Sequence, residues 1–315
     1  MIELSETAGN YEFLGVIDRP KAGVTYKVRN RTTGELESLR ALPGASYSDP
    51  ELLQRFLREI NVHTRLSHPN ILAFHDVFEI DGRLVMTAEY LEGSTLTQVC
   101  TRGRMTSSET IRMICCVLSG LEEAHALGIV HRGITADHVI VGIEGDVKLG
   151  GFGLAKPLAD VGLTQPGAVM GDPRYMSPEQ VTGTAQLGFR SDLYSVGVLL
   201  FQGLTGRVPF DGPNDFEVMV AQVESPPPRP STFNPGISPE LERIVLMALS
   251  KKPEDRFASA CEFRSALAAL TGPVLVLPQP SPPAPAVPQT AEPGFEPKSP
   301  ESRPRVRWLL GLLGV

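Results

Sequence analysis

The amino-acid sequence predicts an α+β fold in two lobes, a small β-rich lobe with one main helix and a larger, mainly α-helical one. Three observations predict it. Short runs of strand character crowd residues 11–47 and 71–91. One amphipathic helical pattern lies between them, and from about residue 94 the apolar spacing is helical, including the stretch from Ile111 to Leu127. At 315 residues the chain is long enough to enclose a sizeable core.

Residues 1–10 read as an N-terminal extension. "YEFLGVI" and "GVTYKVRN" are strand-like, and Thr33–Gly34 supplies the next turn. Asp49 is placed to cap a helix beginning at Pro50, where a residue without an N–H leaves no donor unpaired. Leu53, Phe56, Leu57 and Ile60 then fall on one helical face. "ILAFHDVFEIDGRLVMTAEYL" reads as two strands joined by an Asp-Gly turn. The small lobe is expected over 11–91 and the large one over 94–272.

Beyond them, 273–304 is too rich in proline to pack and is expected to be a disordered, semi-rigid linker. Its spacings Pro285–Pro288 and Pro297–Pro300 fit the PxxP ligands of SH3 and WW domains, although a plain spacer outweighs that reading. Residues 305–315 join arginines and Trp308 to an apolar run, the texture of the cytoplasmic edge of a membrane helix. The run is shorter than the ~20 residues that span a bilayer. A cytoplasmic protein is expected, with a tether to the inner face of the membrane as the corollary of this tail.

The net charge of −7 argues against nucleic acid as a partner, because phosphate recognition needs a basic surface. Cys100, Cys115, Cys116 and Cys261 have neither disulfide-framework nor metal-site spacing. Cys115 and Cys116 read as buried thiols in a reducing compartment. The N-terminus shows no signal-peptide pattern.

Seven segments occur in a telling order: "RFLREINVHTRLSHPNIL", "EYLEGSTL", "AHALGIVHRG", "VKLGGFGLAK", "GDPRYMSPEQ", "SDLYSVGVLLFQGLTGRVPF" and "KKPEDRF". Together they resemble the bacterial serine/threonine protein kinases across residues 11–270. The resemblance implies a bilobal protein-kinase-like fold and a cleft built for moving a phosphoryl group from a magnesium-bound nucleotide. Such a site works by positioning and electrostatic stabilisation, so particular charges must stand in particular places.

Those charges are missing. In "DRPKAG", Asp18 and Pro20 occupy the first two glycine positions of the phosphate loop, leaving Gly23, with Lys21 at the tip. Arg40 stands where the family keeps its phosphate-pairing lysine, and Glu59 matches that lysine's helix partner, which predicts an Arg40–Glu59 tie between strand and helix. Gly133 replaces the catalytic base, Thr135 the neighbouring lysine, and His138 the asparagine that would hold a second magnesium. Gly151, in "GFG", replaces the principal magnesium ligand. Asp137 and Asp146 are nearby acids, yet the family pattern turns the site of Asp137 away from the phosphates. His138 is expected to be solvated or packed, because hard Mg²⁺ prefers oxygen ligands.

A residual nucleotide pocket would draw on Gly23, Thr25, Ser38, Arg40, Glu59, Ala88 and Ile140, with Thr25 and Ser38 weakening its apolar walls. The architectural positions survive: His131, Arg132, Phe152, Glu179, Asp192 and Arg256. Losses concentrate where phosphate, metal or proton would be handled. The chain is therefore expected to be a pseudokinase that regulates or scaffolds protein partners, an active kinase or a signalling complex among them. No cofactor is expected. The alternative is a divergent ATP-dependent kinase, or a protein that binds ATP without magnesium and without turnover. Thr164 is the candidate phosphosite, with Arg132 as the arginine that would receive its phosphate.

Overall fold

The computed structural model describes residues 7–18, 24–42, 50–80, 83–157, 171–183 and 187–271, all within one compact unit, Met1–Pro273. The expectations for Pro20, Lys21, Gly23, Asp49, the Asp81–Gly82 turn, Thr164, the 273–304 linker and the 305–315 tail lie outside the described residues.

The small lobe is an antiparallel sheet of six strands: β1 (Thr7–Ala8), β2 (Tyr11–Asp18), β3 (Val24–Asn30), β4 (Leu36–Ala41), β5 (Phe74–Ile80) and β6 (Arg83–Glu89), in the spatial order β1-β2-β3-β4-β6-β5. Pairing thus begins at Thr7, inside the stretch read as an extension. Between β3 and β4 the Asn30 side chain closes the turn by accepting from the Thr32 N–H at 3.0 Å. Strand β4 alternates: Leu39 and Ala41 enter the core while Ser38 and Arg40 face the other way. Helix α1 (Pro50–His63) begins at the proline that the sequence placed there. Phe56 is buried on its inner face, with Leu53, Leu57 and Ile60 packed beside the same cluster.

The large lobe holds α2 (Leu96–Arg102), α3 (Ser107–Ala126), α4 (Pro178–Thr182), α5 (Phe189–Thr205), α6 (Asp215–Glu224), α7 (Pro239–Ala248) and α8 (Ala260–Thr271). Helices α2, α3 and α4 each start with a capping box, Thr95/Gln98, Thr106/Glu109 and Ser177/Gln180, which satisfies orphan N–H groups at both ends of the motif. Helix α5 is buried on every side from Ser191 to Leu204 and forms the axis on which α3 and α7 pack. Gly197 makes that approach feasible, since a Cβ there would lie 2.9 Å from the Cβ of Ala248. Short strands β7 (Gly93–Thr95), β8 (Ile129–Val130), β9 (Val139–Gly142), β10 (Val147–Leu149) and β11 (Lys156–Pro157) pair as β10-β9-β7 and β11-β8 at the lobe junction.

Cys115 and Cys116 depart from expectation. They are half-buried at the margin of the α3 core face rather than enclosed. Partial burial still pushes the Cys115 thiol up to about 11, which keeps it protonated. Among the described residues no helix is long and apolar enough to cross a membrane.

A buried ion pair closes the large lobe. Arg256 meets Glu179 with two parallel bonds of 2.7 and 2.8 Å, and donates also to the carbonyls of Ser250, Arg190 and Lys251. Ser191 Oγ donates to the same carboxylate at 2.7 Å. Removing one partner strands the other charge without water. Arg256→Met is expected to cost about 3–5 kcal/mol in urea unfolding, and a Glu179→Leu/Arg256→Met double variant less than either single change.

Candidate functional site

The cleft residues come from four places: β4, α1, the loop 131–138 and the segment 150–154. Two residues of the loop hang from α5. Asp192, buried in that helix, accepts from the backbone N–H of His131 at 2.9 Å and of Arg132 at 2.8 Å. The same carboxylate lies 2.9 Å from His125 Nε2, whose ring stacks on Phe189. Burial alone would raise the Asp192 pKa, but hydrogen bonds from His125 and the loop backbone hold it below the usual carboxylate range. The anchor keeps Arg132 at φ 63°, a left-handed conformation that L-residues avoid.

His131 is fully buried and uses both ring nitrogens. Nε2 lies 2.9 Å from the Gly150 carbonyl, so it carries the proton, and Nδ1 accepts from the Gly133 N–H at 3.3 Å. Gly133 therefore offers backbone alone where the resemblance puts a base. Its N–H serves His131, and its carbonyl lies 2.6 Å from His138 Nδ1. Space is short too: a Cβ at Gly133 would lie 3.1 Å from Leu154 Cδ1.

Gly151 has φ 78° and is covered by the His138 ring, which a Cβ would meet at 2.3 Å. His138 is thus packed, and Thr135 Oγ1 flanks it at 3.2 Å. The residues do not fit a magnesium ion. Of the two positions from which the resemblance would supply its oxygen ligands, one has no side chain and the other presents an imidazole occupying the space. Asp137 is exposed, and so is Asp146.

Arg40 and Glu59 form the expected tie, Nη2 to Oε2. The guanidinium also sits 3.3 Å from Met86 Sδ and over the Phe56 ring at 5.3 Å. Burial would raise the Glu59 pKa, yet the Arg40 guanidinium holds it low. Thr25, Ser38 and Ala88 stand on successive strands, Thr25 opposite Arg40 and Ser38 opposite Ala88. The Ser38 hydroxyl lies 3.2 Å from the carbonyl oxygens of both Ala88 and Glu89, and Ile140 lies on β9 between Thr95 and Lys148.

The packed column joining the lobes is present and has a member that the sequence reading did not single out. Phe152 packs against His131 at 4.4 Å with the two rings tilted, and His63 meets it edge-on at 5.2 Å. His63 is 4 % exposed, with Glu59 Oε1 4.0 Å from Nε2. Its position four residues after Glu59 on α1 was the available signal, since that spacing puts both on one face.

Burial lowers the pKa of His63, His131 and His138, that of His131 to about 4 despite the opposing pull of Asp192. Their folded-state values lie below the unfolded one, so the unfolded chain binds more protons as pH falls. The stability they contribute is complete above about 6.5 and is lost as pH falls, for His131 between there and about 4. For His131 alone the loss is on the order of 3 kcal/mol. Urea midpoints measured from pH 7.5 to 4.5 should fall progressively, and a His131→Phe variant should show a shallower decline.

Comparison with known proteins gives a consistent result. Residues 11–267 match the family model described as the protein kinase domain. A probable serine/threonine-protein kinase of Streptomyces coelicolor is 38 % identical over 271 residues, 84 % of this chain and 40 % of that protein. A serine/threonine-protein kinase of Myxococcus xanthus is 36 % identical over 275 residues, 84 % of this chain and 50 % of its own length. The chain thus spans half or less of these relatives. Among solved structures, the Mycobacterium tuberculosis PknI kinase domain superposes with TM-score 0.65 at 27 % identity, covering 85 % of this chain and 98 % of that one.

Proposed function

We propose that this chain, which belongs to the bacterial serine/threonine protein kinase family, acts as a catalytically inactive, regulatory or scaffolding module that binds protein partners. The observation that carries this reading is the state of Gly133. No side chain there can accept a hydroxyl proton, both backbone polar groups are engaged by imidazoles, and Leu154 crowds the place where a carboxylate would start. A positioned base is typically worth about 10²–10⁴-fold, and a metal-borne phosphoryl transfer needs oxygen ligands that Gly151 and His138 do not supply.

The fixed framework of the loop supports the other half of the proposal. A scaffold must be stiff where partners read it, and the loop 131–138 is fixed from below by Asp192 and from above by the Phe152 column. The surface near Arg132, the segment running from Gly151 to Glu179 and the helix bearing Glu59 are the regions through which a partner would be engaged, with Thr164 as the proposed phosphosite. An active kinase or a signalling complex is the class of partner.

Thermal unfolding of the full chain with millimolar ATP tests the inactive reading. The midpoint is expected to move by less than about 1 °C with magnesium or with EDTA, because a ligand stabilises only in proportion to its binding of the folded form. A rise that requires magnesium would contradict it.

A further inference from the structure

The backbone of His138 is fixed on both sides: its N–H donates to the Thr135 carbonyl at 3.1 Å, and its carbonyl accepts from the Gly150 N–H at 2.8 Å. Its ring hydrogen-bonds within the same loop and lies against the facing segment. Nδ1 lies 2.6 Å from the Gly133 carbonyl oxygen, and a carbonyl can only accept, so Nδ1 bears the proton and Nε2 is bare. The flat of the ring covers Gly151. A Cβ at that glycine would fall 2.3 Å from Cδ2, 2.4 Å from Cγ and 2.6 Å from Nε2. The imidazole and any side chain at 151 exclude each other.

We propose that His138 is a built-in staple that ties the catalytic-loop backbone to the 150–154 segment and holds the column His131–Phe152–His63 assembled without any ligand. The inference rests on reading the cleft as one that handles no magnesium nucleotide. It goes further in assigning the work of holding these two segments to a side chain of the chain itself. A protein so built keeps one arrangement of its cleft whatever the nucleotide concentration, which suits a module read by partners.

The charge around the ring favours this state. Burial opposes protonation of His138, as does Arg40 on β4, while Glu59 on α1, the adjacent Asp137 and the Gly133 carbonyl favour it, and the first effect prevails. His131, with its ring 6.1 Å away, is neutral and serves as donor to Gly150. A neutral ring with a protonated Nδ1 is the form that the staple requires.

The test uses the unaltered full chain labelled with ¹⁵N-histidine, with no nucleotide added. The His138 signals are those missing from a His138→Gln spectrum. Expected is a protonated Nδ1 and a bare Nε2 that persist from pH 7.5 to below 6. A proton on Nε2 instead, or an ordinary titration near 6.5, would overturn the proposal. A second arm measures amide exchange in His138→Ala and in Gly151→Ala, whose methyl group would displace the ring. The amides of Gly133, Gly150 and Ala155 should exchange at least about tenfold faster while those of α5 do not change. Equal rates at both places would again overturn it. The wrong tautomer in a chain indifferent to ATP removes the staple and leaves the proposed function standing. Magnesium-dependent ATP binding removes that function and the premise of the staple with it.

Discussion

One buried carboxylate organises the cleft. Asp192 sits inside α5, the most enclosed helix among the described residues, and its oxygens hold the His131 and Arg132 amides. A left-handed non-glycine residue costs roughly 1–2 kcal/mol, so the φ of Arg132 persists only because these bonds over-determine it. From that fixed loop the remainder follows. His131 is aimed at Gly150, Phe152 packs against His131, and His63 closes the column from α1. Glu179 and Arg256 do the equivalent work beneath α4, where the carboxylate and guanidinium satisfy each other out of reach of water.

These buried polar contacts are of one kind. Each joins elements distant in sequence, and none presents an unspent charge toward the cleft. At the cleft itself the substitutions depend on one another. His138 can lie where it does because residue 151 is glycine, and Leu154 can crowd the loop because residue 133 is glycine. A side chain at 151 would collide with the His138 ring, and one at 133 would require Leu154 to give way by a few tenths of an ångström. Glycine at each of these two positions is thus matched by a neighbouring side chain.

Much of this was legible in the sequence. The strand-like runs of the small lobe, the Pro50 helix start and the apolar face of α1 are local, and local physics sets them. The Arg40–Glu59 tie and the fixing role of Asp192 came through the family resemblance, because the partners stand 19 and about 60 residues apart and no short-range pattern links them. His63 was missed for an opposite reason: a histidine on an apolar helix face looks like surface until Phe152 is brought against it from the other lobe. Cys115 and Cys116 were read as enclosed because an apolar helical pattern marks a face without showing where that face ends. His138 was narrowed to solvated or packed, and only the backbone path of 133 and 151 decided between them.

The central claim is that the fold has been kept and the transfer of phosphate has not. It is tested most directly by incubating the full chain with γ-labelled ATP, magnesium or manganese, and a basic protein acceptor, beside an Arg40→Ala variant. The account predicts label in protein no higher than in the blank, and no difference between the two chains. Incorporation that the Arg40→Ala change abolishes would place a working phosphate contact at Arg40 and contradict the account.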